Sequence, residues 1–578
     1  MTATLERPGP DTARPGARSS QVAARSLDRT LIIVTLVITG VLTIAPVVGI
    51  FRKSLEDGAR GAQVAFTSGA WGPTIVTTIE LAAGSLGVAL VLGTSLAWCA
   101  HRLPPGRRWM SLIPVATLFV PAVALATGWA FMLSPDVGYL NTVIRAVIPL
   151  RSGPFDVYSK TWIILLTGLA ATAFVFLFVR SGLAQLHQEL IDAATASGAS
   201  TVRIFGSVIL PLIRPALIYG AATTLLISVG QVTMPLILGR QASIDVLSTQ
   251  MLVFTSRSPI DYGAASTFGL PIVALGLVVL VLQRSLLRDQ SRFVTTGSRA
   301  ARPMARTRLP GQIFLLLFGL VSLVLPLLGI LYVSFSPFWT NELSFANLGL
   351  QNYRDLFADP SMLGAVRNTV VFSLIAVAIT LPLSHICARI IYRRSKRPVA
   401  SALQDLIISL PLGIPGVIFG MGFLVAYTSP PIRDLGLYGT TWSMVLVYIT
   451  LQLPFTTRMQ LTAMANIGED LSNAAAANGA GWIRRTIFID IPMLRPALGA
   501  SAALSIALIA QEFSASLLVR SLDTQVLATA LYDRWAYGSF PATAVLAVFM
   551  CVITGLGVAL AFLLGGRSSL EGIGGRGA

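Results

Sequence analysis

Charge is scarce in this chain. Of its 578 residues only 12% are Asp, Glu, Lys or Arg, against about 25% in soluble globular domains. Hydrophobic residues make up 54%, and the mean hydropathy is +0.75. Such a chain cannot clothe a water-facing surface, which excludes a soluble enzyme, a disordered protein and a nucleic-acid-binding module. Lysine is rarer still: Lys53, Lys160 and Lys396 are the only three. No Gly-Lys dipeptide occurs, so the phosphate-cradling G-x-x-x-x-G-K-[ST] loop of an ATPase is absent, and no polar segment is long enough to hold a nucleotide-binding domain. The three cysteines, Cys99, Cys387 and Cys551, are far apart in apolar surroundings and form neither a disulfide framework nor a metal knuckle. The histidines, His101, His187 and His385, are equally scattered and give no H-E-x-x-H or paired-His site.

What the chain has instead is long apolar runs. A bilayer core about 30 Å thick needs roughly 20 apolar residues per helix. Twelve stretches qualify, near 31–51, 73–98, 110–133, 161–180, 216–239, 264–283, 312–334, 368–391, 404–427, 440–456, 496–519 and 541–565. No alternating barrel pattern appears, and lipid-exposed backbone must bond internally, so the spans are expected to be helices. Residues 1–30, rich in Pro, Gly, Ser and Arg, read as a disordered cytoplasmic tail. Residues 284–311 form an Arg-rich linker and 566–578 a flexible tail. The net charge of +17 would suggest a nucleic-acid partner in a soluble protein. Here, with the N-terminus placed inside, 29 of the 42 basic residues fall in inner segments. That is the positive-inside pattern. Both termini are expected in the cytoplasm, and nucleic acid drops out as a partner.

The sequence also repeats. Residues 190–217, LIDAATASGASTVRIFGSVILPLIRPAL, align without a gap with residues 471–498, LSNAAAANGAGWIRRTIFIDIPMLRPAL, at an offset of 281, and twelve of the 28 positions are identical. The chain is therefore two homologous six-helix halves, 31–283 and 312–565, the same way up and related by a pseudo-two-fold axis along the membrane normal. In each copy a small-residue crest (Ala193 and Ala194; Ala474 and Ala475) lets another surface approach closely. Gly198 and Gly479 permit a turn, Ala199 and Ala480 follow, and Pro211 and Pro492 break the next helical run. An isolated copy would read as an ordinary amphipathic loop helix under its own bundle; two at identical spacing favour a docking surface.

The segments from Asp192-Ala-Ala-x-x-x-Gly198 to Pro211, and from Asn473-Ala-Ala-x-x-x-Gly479 to Pro492, resemble the EAA loop of binding-protein-dependent ABC importer permeases. The resemblance implies an all-α polytopic membrane protein with the type I importer permease fold, resident in a bacterial cytoplasmic membrane. It implies that each loop docks in a cleft of a cytoplasmic ATPase, so two copies of a separate ATPase and an extracytoplasmic solute-binding protein are the partners, with the lipid bilayer around them. ATP would be bound by the partner, and no cofactor or catalytic activity is expected here. Asp192 keeps the acidic first position of the loop conservatively, whereas Asn473 does not. The second half also carries Leu350-Gln-Asn-Tyr353 and Arg367-Asn368-Thr369, with a weaker counterpart of the latter at Val76-Thr77-Thr78. These are similar to the core of the ferric-iron, polyamine, thiamine and phosphonate group, and a fused chain points to its ferric-iron branch. The competing reading is a secondary transporter with two six-helix halves. The loop HRLPPGRR at 101–108 lacks the acidic signature of the major-facilitator class, and that class does not account for the duplicated loop.

Charged groups within apolar spans are costly and usually functional. Glu512 and Gln231 occupy equivalent positions on helices five and eleven. They are expected either to line or gate a translocation path or to bond neighbouring helices. Glu80, near the outer end of its helix, belongs either to that path or to the interface. Pro121, Pro235, Pro411 and Pro415 interrupt the spans and are expected to kink them.

Overall fold

The structure is a computed structural model that describes residues 15–148, 150, 152–186, 188–286, 309–392, 397–467 and 470–565. All regular structure among these residues is helical. The first half contains α1 (Pro15–Thr67), α2 (Trp71–His101), α3 (Ala122–Leu133), α4 (Lys160–Ala184), α5 (Gln188–Ala196), α6 (Arg214–Val229), α7 (Leu247–Ser256) and α8 (Tyr262–Leu286). The second contains α9 (Leu309–Gly319), α10 (Leu325–Phe335), α11 (Gln351–Ala358), α12 (Pro360–Tyr392), α13 (Pro398–Gly413), α14 (Gly416–Thr428), α15 (Thr441–Ile467), α16 (Asp470–Ala477), α17 (Ile491–Ala510), α18 (Ser514–Val519), α19 (Leu527–Ala536) and α20 (Phe540–Gly565).

Among the described residues, eight helices are long and apolar enough to cross a membrane, and three further spans are bent pairs. The stretch 440–456 lies in α15, whose apolar run is diluted by Thr450, Gln452, Thr456, Thr457 and Gln460, all buried. That helix faces the bundle interior, where polar side chains are tolerated. The bent pairs correct the expectation of merely kinked helices. The turns at Pro105–Phe119 meet α3 at 98°, and α13 meets α14 at 106°. The cause is local. A residue before proline is driven out of the helical region, and Val120 (φ −94°, ψ 125°) and Ile414 (φ −122°, ψ 123°) are both extended, immediately before Pro121 and Pro415. Pro411, by contrast, stays inside continuous α13, and Pro235 opens a π-helical turn, Pro235–Gly239.

A second difference lies at the N-terminus. Helix α1 already starts at Pro15, so the tail expected over residues 1–30 is helical from that point, while residues 1–14 lie outside the described residues. Ala, Gln, Leu and Arg after Pro15 are competent helix formers, and proline suits a first turn. Most of the expected linker and the whole C-terminal tail also lie outside the described residues.

The two halves exchange their first helices across the interface, while each first helix keeps its contact with the last helix of its own half. α1 packs against α8 and, in the second half, against α13 and α14. α10 packs against α20 and, in the first half, against α3. Each exchange is seated on a glycine: a methyl group added at Gly422 would overlap the Pro46 carbonyl, and one at Gly128 would overlap the Pro326 carbonyl. Small residues let helices in lipid approach this closely. Polar bonds add to the seat. Pro46 has no N–H to bond Leu42, and the free Leu42 carbonyl accepts from Thr450 Oγ1 at 3.3 Å, while Gln404 donates to Thr39 Oγ1 at 3.2 Å. The core is shared accordingly, one continuous apolar cluster running through both halves.

Candidate coupling loops and translocation path

The repeated segments fold alike. α5 and α16 each end in a Schellman-type turn: Ala199 N–H reaches the Ala194 carbonyl at 3.1 Å, and Ala480 N–H reaches Ala475 at 3.0 Å. Gly198 (φ +78°) and Gly479 (φ +81°) supply the left-handed residue, and nothing lies within 4 Å of a side chain placed there. Glycine is required at both positions by backbone conformation, not by crowding. Exposure follows the same register. Ala193, Ala474, Gly198 and Gly479 are exposed, whereas Ala194, Ala475, Ala199 and Ala480 are half-buried. Asp192 is exposed, and the Asn473 side chain lies outside the described residues. A four-residue helix and a π-helical turn follow in each copy, Phe205–Ile209 and Thr486–Asp490, again 281 residues apart. Beyond this point the copies diverge. Pro211 precedes a bend of 71° between residues Val202–Leu212 and α6, while Pro492 opens the unbroken α17.

The other repeated motif is matched by geometry rather than sequence. Thr78 Oγ1 accepts from Leu247 N–H at 3.0 Å, and Thr369 Oγ1 accepts from Leu527 N–H at 2.8 Å. Each threonine thereby ties the second helix of its half to the start of α7 or α19. Asn368 donates to the Asp523 and Gln525 carbonyls, both at 3.0 Å. In the LQNY stretch, Asn352 donates to the Ser334 and Ser336 carbonyls at 3.0 and 2.8 Å, fastening α11 to the end of α10.

Gln231 and Glu512 do not sit on helices, as the sequence suggested, but just beyond the ends of α6 and α17. Glu512 Oε1 accepts from Ala515 N–H at 3.0 Å, and Oε2 accepts from Ser516 N–H at 2.9 Å and Ser516 Oγ at 2.7 Å. The carboxylate caps α18, where the N-terminal N–H groups lack helical partners. Ser516 in turn bonds Tyr448 Oη at 2.9 Å. Gln231 Nε2 donates to Thr167 Oγ1 at 3.1 Å, and its carbonyl accepts from Ser248. The two breaks are brought together by a third. A side chain at Gly230 would run into the Pro415 ring, and one at Gly416 would lie 3.6 Å from Glu512 Oε1. The α13–α14 corner is thus wedged between the ends of α6 and α17. Glu80 is elsewhere: it pairs with Lys160 at 2.8 Å, both about half exposed, at the end of α4 remote from the coupling loop.

That remote face also holds a feature the sequence did not reveal. A cavity of about 540 Å³ opens there between the halves, lined by Ser134, Asp136, Asp156, Tyr158, Gln241 and Trp339 among others. Burial pushes the Tyr158 phenol above its ordinary range, so it stays protonated. The residues named come from four separate segments, and no local spacing announces them.

The class this fold defines is an all-helical polytopic membrane protein with two matched loops. Residues 89–292 match the family of binding-protein-dependent transport system inner membrane components. A ferric transport system permease of Actinobacillus pleuropneumoniae is 23% identical over 518 residues, 86% of this chain and 72% of the relative. A putative ferric transport system permease of Haemophilus influenzae is 25% identical over 472 residues, 78% of this chain and 71% of the relative. A probable ABC transporter permease of Sinorhizobium fredii is 25% identical over 503 residues, 85% of this chain and 86% of the relative. Over most of its length the chain is thus similar to permease components of binding-protein-dependent ABC importers, and residues 89–292 carry that family's signature.

Proposed function

We propose that this permease translocates a small solute handed over by an extracytoplasmic binding protein and is driven by two copies of a separate ATPase docked at residues 190–217 and 471–498. The observation that carries this reading is the pair of loops. Two exposed small-residue helices end on left-handed glycines at one repeat spacing, and the chain's own packing asks for neither glycine by crowding. Such matched crests suit one ATPase dimer, whose closure would draw the loops together and rock the halves.

The path is proposed to pass the three breaks at Gly230–Gln231, Pro415–Gly416 and Gln511–Glu512, where irregular backbone sits at membrane depth. Irregular backbone is tolerated there only inside protein or beside a cavity. The breaks face one another across the two halves, so a rocking motion would part them. Glu80 lies off this path, with Lys160. Relatives named as ferric transport permeases make ferric iron the first solute to test. The proposed setting is a bacterial cytoplasmic membrane, loops inward and both termini cytoplasmic.

The test is reconstitution of the permease with its ATPase and binding protein in vesicles. ATP-dependent uptake that needs all three is the expected result. Uptake that proceeds on an ion gradient without the ATPase would overturn the reading.

A further inference from the structure

The repeat register exposes a substitution of chemistry beneath the two coupling loops. The second helices align at an offset of 291, fixed by the matched Thr78 and Thr369 bonds. That offset pairs Trp98 with Arg389. The loop offset of 281 pairs Phe205 with Thr486 and Ile209 with Asp490. In the first half Trp98 meets Phe205 edge-on at 4.9 Å between ring centroids, and both pack on the apolar cluster that contains fully buried Ile209. In the second half the same positions are in contact through polar groups. Arg389 Nη1 donates to Thr486 Oγ1 at 2.7 Å and to Asp490 Oδ2 at 3.0 Å, with Arg389 only 9% exposed.

Phe205 and Ile209 are the first and last residues of one π-helical turn, and Thr486 and Asp490 are the first and last of the other. Single π turns within α-helical segments often mark functional positions. In both halves, then, one side chain near the end of the second helix meets the turn that follows the repeat glycine: Trp98 touches its first residue, and Arg389 grips both its ends. We propose that Arg389 is a positioning residue for coupling, an ionic clasp that transmits movement of the second docking loop to α12, while Trp98 does the same for the first loop and α2 by aromatic packing.

Stability alone does not explain the ion pair. Well-packed apolar residues commonly replace a buried ion pair without loss, and the first half shows the apolar solution at this very place. What the guanidinium adds is direction. Bonds to a hydroxyl and a carboxylate at opposite ends of the turn fix its rotation about α12, which an aromatic edge contact leaves freer. The proposal rests on reading residues 471–498 as an ATPase-docking loop.

The experiment uses the whole complex, permease with ATPase and binding protein, in lipid vesicles. It compares Arg389→Gln, Asp490→Asn and the triple transplant Arg389→Trp/Thr486→Phe/Asp490→Ile. Three quantities are read: ATPase retained on purification, ATP hydrolysed, and solute moved per ATP. The single variants are expected to retain the ATPase but to move roughly five- to tenfold less solute per ATP, a coupling loss of ordinary allosteric size. The transplant is expected to restore the ratio to within about twofold of the unaltered permease. Single variants that hold the ATPase and keep the normal ratio would overturn the clasp and leave docking intact. Failure of the unaltered permease to hold the ATPase would instead overturn the docking reading beneath it. Should the single variants not accumulate, the transplant decides: normal accumulation with poor coupling overturns the proposal.

Discussion

The two halves are most alike where they face outward from the bundle and least alike where they face each other. The loop helices, the left-handed glycines and the π turns recur at one register, 281 residues apart. A few positions later the shared Arg-Pro-Ala-Leu enters α6 after a 71° bend in one half and runs inside unbroken α17 in the other. At the far ends of those helices an amide, Gln231, bonds Thr167, and an acid, Glu512, caps α18. On the proposed reading, a surface that fits two copies of one partner is held constant. An interior has only to pack, and each half has found its own solution. The exchanged first helices are the exception: their Gly–Pro seats lie between the halves and are nonetheless alike in both.

The largest effect is expected at that seat. Gly422→Leu places a branched side chain against the Pro46 carbonyl, and Gly128→Leu does so against Pro326. Overpacking of this kind costs about 1–3 kcal/mol or more. Both variants should lose most of the folded complex in thermal scanning of the detergent-solubilised protein. Loss at one site only would break the symmetry of the exchange.

Next comes the unequal pair at the helix ends. Glu512→Ala strips the acceptors from Ala515 and Ser516 and should lower stability by about 1–3 kcal/mol. Gln231→Ala removes one side-chain bond and should cost about 1 kcal/mol. Equal thermal shifts would show that the cap matters no more than an ordinary interhelical bond. Glu512→Gln keeps acceptor oxygen on the cap and is expected to retain most uptake; an abolished uptake in a well-folded Glu512→Gln protein would give the charge itself a role in transport.

The docking glycines should respond alike. Gly198→Val and Gly479→Val force a β-branched residue to positive φ, at a cost of about 1–2 kcal/mol each. Each should weaken ATPase co-purification, and the double variant should abolish it. Indifference of one site would mean that a single loop docks. The smallest effect is expected at Glu80 and Lys160, an exposed pair worth at most about 1 kcal/mol. Glu80→Gln should leave uptake and melting unchanged, and a clear loss of uptake would return Glu80 to the path.

Much of this was legible residue by residue. The places of the apolar stretches, the repeat register and the need for a turn at Gly198 and Gly479 are local properties that survive folding, whereas three of the spans are broken pairs. The corners at Pro121 and Pro415 were half legible. Proline and its extended predecessor forbid a straight helix, but Pro411, four residues before Pro415, stays within one. Whether a proline kinks or breaks depends on which neighbours take up the freed backbone groups. Gln231 and Glu512 were marked by their polarity and placed wrongly on helices, because an apolar run carries no sign of where its helix stops. The cavity of Asp136, Asp156 and Gln241, and the clasp of Arg389 on Asp490, were invisible, since each joins residues distant in sequence.

Sequence by itself determined that this chain lives in a membrane, that it is two copies of one design, and that each copy offers a glycine-terminated small-residue loop. Those follow from transfer energies and backbone geometry, which act one segment at a time. Tertiary structure alone decided that the halves trade first helices on glycine seats, that three breaks meet at the centre, and that one loop is held by aromatic rings and the other by a buried ion pair. These depend on close packing between surfaces far apart in the chain, where a single methyl group or one unpaired charge chooses among arrangements the hydropathy pattern leaves equal.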